Sequence, residues 1–311
     1  MTELILHHFA ISPFAEKMRL VLGFKGMRWR SVSVPMIMPK PDVVALTGGY
    51  RRTPFMQIGA DIYCDTALMC RVIDTLNPEP PLYPEATAGV AEIVAQWADT
   101  ALWWAAVTFT MQPVGVPHIL PGVSLETLKA FGADRAAMSP NVRRATLADS
   151  AAQLRTYLAR LEHLLADGRP FLLGALPSIA DISAAQSVWY ILQAPPVAVL
   201  LDGFPRLQAW HKKVIGFGHG TATEMTSAQA IAVATSGVTA ATSFIAEAGL
   251  NEGDAVTVTP TDYAHDSVVG RLVGLGRQEV VVARTDERAG TVHVHVPRIA
   301  FQIKKQTVVT A

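Results

Sequence analysis

Hydrophobic and polar positions divide the chain into stretches of different periodicity. Residues 1–78 mix two patterns. Leu4, Ile5 and Leu6 run into Phe9 as a short apolar strand, and residues 13–24 place Phe14, Met18, Val21 and Leu22 on one helical face. Residues 29–34 alternate as a strand does. Residues 55–58 and 61–64 flank Gly59-Ala60 as a hairpin, and residues 66–76 follow as a helix. This order predicts a small α/β domain. Residues 85–220 read as helical. An alanine-rich stretch, 86–110, carries Trp97, Trp103, Trp104 and Phe109, and a Pro/Gly-bearing break covers 112–122. Leu147, Leu154, Tyr157, Leu158, Leu161 and Leu165 then recur at helical spacing within 141–165, and two more helices fit 178–193 and 204–215.

Residues 221–248 are small, polar and alanine-rich, which suits a linker with one or two short helices. From residue 249 to 311 the pattern turns to short β runs at 256–258, 268–273, 280–282, 291–296 and 299–303. That count suggests a small barrel or a curled sheet. No internal repeat is found. The expected architecture is therefore multidomain: an α/β unit (1–78), an all-helical unit (85–220), a linker (221–248) and a small β-rich unit (249–311).

Composition narrows the function classes. The 311 residues are 50% hydrophobic and 17% charged, with formal net charge zero, so well-formed cores are available. No basic field draws in nucleic acid or an anionic membrane, and neither is an expected partner. The tail's only aromatics, Tyr263 and Phe301, make a nucleic-acid-binding barrel a poor fit. Cys64 and Cys70 fit no zinc spacing and no disulfide framework, and no metal site is expected. The N-terminus lacks the basic and apolar regions of a signal peptide, and no apolar run approaches the roughly 18 residues of a membrane span. A cytoplasmic protein is expected.

Three segments carry chemistry. In His8-Phe9-Ala10-Ile11-Ser12-Pro13-Phe14 a strand ends, Ser12 caps the next helix, and Pro13 takes the first helical position. Alone, Ser12 reads equally well as a plain cap. Its hydroxyl nevertheless stands at the positive end of a helix dipole, where a thiolate would be stabilised. In Arg51-Arg52-Thr53-Pro54-Phe55 a proline just ahead of a strand suggests a turn or cis bond, leaving the Thr53 backbone free to pair with an extended peptide. Asp65-Thr66 stands at a strand-to-helix junction, where N–H groups and a hydroxyl suit a carboxylate and Asp65 suits an amine. As a simple cap it would look the same.

In this order and at these separations, the segments resemble the glutathione site of the cytosolic glutathione transferases, serine-type, with a tau- or zeta-like N-terminal motif. A further match, Leu173-Gly174-Ala175-Leu176-Pro177-Ser178-Ile179-Ala180-Asp181, resembles the family's structural capping box, with Ser178 as cap and Asp181 closing it. The resemblance covers about residues 1–220. It implies a thioredoxin-like domain followed by the family's helical domain. It makes glutathione the co-substrate and Ser12 the catalytic hydroxyl that donates to its sulfur. Phe14, Lys40, Arg52, Thr53, Pro54, Asp65 and Thr66 become the glutathione-binding set. In it Thr53 pairs with the cysteinyl unit, Asp65 and Thr66 hold the γ-glutamyl end, and Arg52 with Lys40 faces the glycyl carboxylate. Thr53 stands where the family usually has Val or Ile, and Asp65-Thr66 replaces the more frequent Glu-Ser. A homodimer is implied too.

Energetics allow an uncharged activator. A free thiol titrates near 8.5, and lowering that by roughly two units needs about 2.7 kcal/mol. A charge-assisted hydrogen bond contributes about 1.5–3 kcal/mol and a helix terminus about 0.3–1 kcal/mol. The function expected is transfer of glutathione, bound as thiolate, to an electrophilic hydrophobic small molecule. Trp103, Trp104, Phe109, Met111 and Trp189 are candidates for its pocket, although their helical spacing also suits a core. His7 and His8 read as packing or surface residues, and His293 and His295 share one strand face without further metal ligands. The rival function is a non-catalytic ligand-binding or assembly module that uses the β-rich tail.

Overall fold

The computed structural model describes residues 3–306 apart from Asn141, Arg144 and Ala248, so the expected boundaries at residues 1, 141, 248 and 311 fall outside the described residues. The first stretch folds as β1 (Leu4–His8), α1 (Pro13–Phe24), β2 (Arg28–Ser33), α2 (Pro41–Thr47), β3 (Phe55–Ile58), β4 (Asp61–Cys64) and α3 (Thr66–Leu76). β1 pairs parallel with β2 and antiparallel with β3, and β3 continues into β4 across a tight hairpin. Gly59 turns that hairpin at φ 62, a backbone conformation that a residue without a Cβ adopts readily. This is the small α/β domain that the alternating patterns predict, and it is thioredoxin-like, as the resemblance implies.

The helical part comprises α4 (Ala88–Trp97), α5 (Trp103–Thr110), α6 (Val116–Ile119), α7 (Leu125–Ala137), α8 (Leu147–Leu164), α9 (Ile179–Leu192), α10 (Pro195–Ala198) and α11 (Pro205–Ile215). α4 and α5 are one rod joined by a π turn at Ala98–Leu102. That turn carries Asp99 inward to Lys17 of α1: Nζ donates to Asp99 Oδ2 at 2.5 Å, and Gln186 of α9 donates to Oδ1 at 2.6 Å. Burial works against the Lys17 charge, but Asp99 outweighs it and the pKa is raised. At the start of α9, Asp181 accepts from the Ser178 N–H at 2.9 Å, the Leu172 N–H at 2.7 Å and the Trp210 indole at 2.8 Å. The expected capping box is thus the anchor of a helix buried along all but Trp189 and Leu192. α7 has no counterpart in the hydrophobic pattern, because none of its residues is fully buried and only a short apolar pair, Leu128 and Phe131, packs against the core.

The strand-rich extension is present as β6 (Ala255–Pro260), β7 (Val268–Leu275), β8 (Glu279–Asp286), β9 (Gly290–Pro297) and β10 (Phe301–Lys305). It does not close into a barrel. Its strands continue the N-terminal sheet, giving, with β5 (Thr221–Glu224) at the far edge, one ten-stranded sheet in the order β10-β6-β7-β8-β9-β4-β3-β1-β2-β5. The joint is β9 on β4, parallel, with Asp61 opposite His293, Ile62 opposite Val294 and Tyr63 opposite His295. The residues expected as a linker supply β5 (Thr221–Glu224), which pairs with β2 at the opposite edge, and α12 (Ser227–Ser236). Two cores result. One lies between α1, α3 and the helical domain. The other holds Ile5, Val32, Leu46, Phe55 and Ile62 together with Val256, Leu272, Val282 and Val294 of the tail, under α2 and α12.

A buried polar group closes the joint. His295, 3% exposed, sets Nε2 against Asp61 Oδ1 at 2.9 Å and Nδ1 against Glu279 Oε2 at 3.1 Å. Carboxylates only accept, so both ring nitrogens donate and the imidazolium satisfies both. Burial disfavours that charge, but the two carboxylates outweigh it and the pKa is raised. His7 and His8 differ: burial pushes each down to about 4, and they pack as neutral rings, His7 stacked on Phe55 at 4.2 Å.

The sign for His295 follows from linkage: a raised folded pKa stabilises fully below the unfolded value of 6.5 and is lost as pH rises through the folded one. In urea unfolding, His295→Gln is expected to lose about 3–5 kcal/mol at low pH by leaving the buried Asp61 without its imidazolium partner. The gap to wild type should shrink as pH climbs above 6.5. A gap independent of pH would show that the imidazolium is not the clasp.

Candidate active site

Ser12 ends the turn after β1, its N–H bonded to Phe9 O at 3.2 Å, and its φ of −71 with ψ 122 is the extended conformation of an N-cap. Oγ accepts the Ala15 N–H at 3.2 Å. A hydroxyl keeps one donor while accepting, so that proton is available to a sulfur at the start of α1. Ser12 lies on the wall of a cavity of about 620 Å³ between the thioredoxin-like and helical domains. Phe14, Lys40, Arg52 and Thr53 line it as well, while Pro54, Asp65 and Thr66 are outside its lining. The Thr53–Pro54 bond is cis.

Asp65 takes φ 75, a left-handed conformation uncommon for a residue with a Cβ, and its Oδ1 caps α3 by accepting the Ala67 N–H at 2.9 Å. Thr66 is buried and its Oγ1 accepts from Lys17 Nζ at 3.2 Å. Lys40 has Nζ 3.3 Å from Thr53 Oγ1 and 3.4 Å from Arg51 O, and 5.9 Å from the Phe9 ring centroid. Burial, reinforced by Arg135, lowers its pKa to about 8. Arg52 is committed within the chain: it donates to both oxygens of Asp262, with Nη1 at 3.2 Å, and to Tyr263 O. Its guanidinium also lies 4.0 Å from the Tyr263 ring centroid.

Apolar residues fill the rest of the wall. Trp103 and Trp104 of α5 and Met111 line the cavity, whereas Phe109 and Trp189 do not. Trp103 packs edge-on to Phe14 at 5.2 Å, which brings a helical-domain ring beside the Ser12 helix. Among the lining residues that sequence reasoning missed are Arg51, Phe131, Arg135 and Tyr190, and above all Tyr263 from the tail. The pair Phe131 and Arg135, four apart on α7, was the only local signal. The chain's own thiols are no substitute nucleophiles: both are buried, which raises the Cys64 pKa and pushes Cys70 up to about 12.

The arrangement can polarise a thiol at a helix start, hold an anion near Lys40, and pack an apolar molecule beside both. Relatives share it. The family description "Glutathione S-transferase, N-terminal domain" matches residues 6–81, and "Glutathione S-transferase, C-terminal domain" matches residues 144–213. A GST-like protein from Pseudomonas syringae is 41% identical, with TM-score 0.82, over 98% of this chain and 100% of that one, so the match takes in the tail. A glutathione S-transferase from Rhodospirillum rubrum F11 is 20% identical, TM-score 0.52, over 68% of this chain and 87% of its own. The tau-class enzyme of mango, Mangifera indica, is 13% identical, TM-score 0.51, over 68% and 88%. These last two share the fold. No curated protein matches. With its two domain matches, and with a relative alike along nearly its whole length, the chain belongs to the glutathione S-transferase superfamily.

Proposed function

We propose that the protein binds glutathione as its thiolate at Ser12 and transfers it to an electrophilic hydrophobic small molecule. The carrying observation is the position of the Ser12 hydroxyl: at the start of α1, satisfied by Ala15, and open to a cavity walled by aromatic rings. The thiol proton leaves to solvent, Ser12 donates to the sulfur, and the sulfur bonds to the electrophilic carbon as the leaving group departs with its electron pair. The Thr53 backbone pairs with the cysteinyl unit. Asp65 receives the γ-glutamyl amine on Oδ2, since Oδ1 caps α3, and the α3 N-terminus with Thr66 faces the adjoining carboxylate. At the other end, Arg52 reaches the glycyl carboxylate only by giving up Asp262, which makes Lys40 the ready partner.

That same Arg52–Asp262 pair favours the rival reading, a ligand-binding module without turnover, and the serine test separates the two. The reading also takes the protein as a homodimer, as the family resemblance implies, and, from its N-terminal sequence and neutral charge, as cytoplasmic with no part for nucleic acid or a membrane. Sedimentation equilibrium at twice the chain mass is the expected result; a monomer at micromolar concentration would remove that part of the reading.

Ultraviolet absorbance of the bound thiolate, followed against pH, tests the chemistry. Ser12→Ala is expected to raise the thiol pKa by about one to two units, the equivalent of a lost charge-assisted hydrogen bond. An unchanged titration sinks the catalytic assignment. Lys40→Met is expected to weaken glutathione binding about tenfold in equilibrium dialysis while leaving that titration in place. Because Lys40 titrates at about 8, the wild type should also lose affinity as pH passes that value, and the variant should not lose it.

A further inference from the structure

The tail supplies a wall of the cavity. Between β6 and β7, residues 261–267 leave the sheet and lie where the thioredoxin-like and helical domains meet. Tyr263 lines the same cavity as Ser12, Trp104, Arg135 and Tyr190. Its ring stands edge-on to Trp104, centroids 5.5 Å apart at 80°, with the Arg52 guanidinium against it. Contacts to both domains hold the segment: Arg52 to Asp262, Arg51 Nε to Asp266 Oδ2 at 3.2 Å, and the Ala264 N–H to Met138 O at 2.5 Å. Ala264 adopts φ 48, a left-handed conformation disfavoured for a residue with a Cβ, and these contacts hold it there.

We propose that Tyr263 is a specificity-determining residue of the second-substrate site, its ring limiting the size of planar aromatic ligand that the cavity admits, with Asp262 as the positioning residue that fixes it through Arg52. The proposal rests on reading the cavity as the electrophile's site. A ring tethered to the tail forms this side of the cavity. An aromatic ligand small enough to fit gains an edge or face contact with Tyr263, worth about two- to tenfold in affinity. One that needs the room occupied by the ring is excluded until the ring moves. Arg52 is therefore occupied in positioning as well as in charge: it grips the carboxylate and carbonyl on either side of the Tyr263 Cα and covers the ring.

The test is equilibrium dialysis of the intact protein against 1-naphthol and 1-hydroxypyrene, one ligand of two fused rings and one of four. For Tyr263→Ala, naphthol binding should weaken two- to tenfold and hydroxypyrene binding should strengthen about tenfold, inverting or collapsing the size preference. Tyr263→Phe should keep the wild-type preference, since the ring remains. Asp262→Asn should move part of the way toward Tyr263→Ala, and Asp262→Glu should restore the preference, which a merely structural loss would not do. If Tyr263→Ala fails to fold, Tyr263→Leu and Asp262→Asn decide the matter in the same assay. An unchanged ratio in folded variants, or no binding of either probe by the wild type, overturns the proposal. Glutathione dialysed in parallel separates the readings. Binding of the probes without glutathione overturns the thiol assignment alone, and binding of glutathione with an unaltered probe ratio overturns the role of Tyr263 alone.

Discussion

The pairing of β9 with β4 is the contact on which the rest of the tail depends. In the thioredoxin-like sheet, β4 would otherwise be an edge, with a row of unpaired backbone groups inviting association. β9 covers it in parallel, and the register is fixed twice over. Val292, Val294 and Val296 face the core under α2, while His293 and His295 face the other side, where Asp61 stands. A slip of one residue would bury histidines among valines and set valines against the buried Asp61 carboxylate, so neither set can move without the other. The doubly paired His295 then makes departure costly, because it would leave Asp61, 3% exposed, without its cation.

Once β9 is placed, β8, β7, β6 and β10 follow antiparallel, one after another. Their order carries the β6–β7 connection across the sheet to the mouth of the cavity, where Arg51 and Arg52 hold it. The site is consequently composed of three parts. The thioredoxin-like domain gives Ser12 and the backbone around Thr53, the helical domain gives most of the apolar wall, and the tail gives Tyr263. The Lys17–Asp99 bond across the first two parts keeps the Ser12 helix and the Trp103 rod in fixed relation. The π turn that carries Asp99 immediately precedes the two tryptophans.

Much of the first two parts can be read from sequence because their signals are local. A cap followed by proline, a proline ahead of a strand, and an acid and hydroxyl before a helix each need only a few neighbours. Ser12, the cis Thr53–Pro54 bond and the Ser178–Asp181 box all take the expected local form. The five β runs of the tail are legible for the same reason. Their destination is not. A parallel pair between Tyr63 and His295 spans more than two hundred positions, and nothing in either strand names its partner. The expected linker likewise looks featureless, because β5 is exposed along its whole length and its pairing with β2 is made by backbone alone. Arg52 shows the limit most clearly. Its neighbours suggest a carboxylate partner, and it has one, but the carboxylate is Asp262 of its own chain.

The core shared across the sheet bears on what the tail can be. Val256, Val258, Leu272, Val282 and Val294 are buried against Val43, Leu46, Phe55 and Ile62, which belong to the thioredoxin-like domain, and α12 covers both. Neither group has a complete apolar environment without the other: the tail strands would lose one wall of their core, and the α2 face of the N-terminal sheet would lie partly open to water. The tail is therefore an integral layer of the N-terminal domain. A segment anchored so firmly at β9 and so strained at Ala264 is held at both ends of its path, by burial at one and by arginines at the other. That is why residues so far along the chain can form a wall of the cavity lined by Ser12.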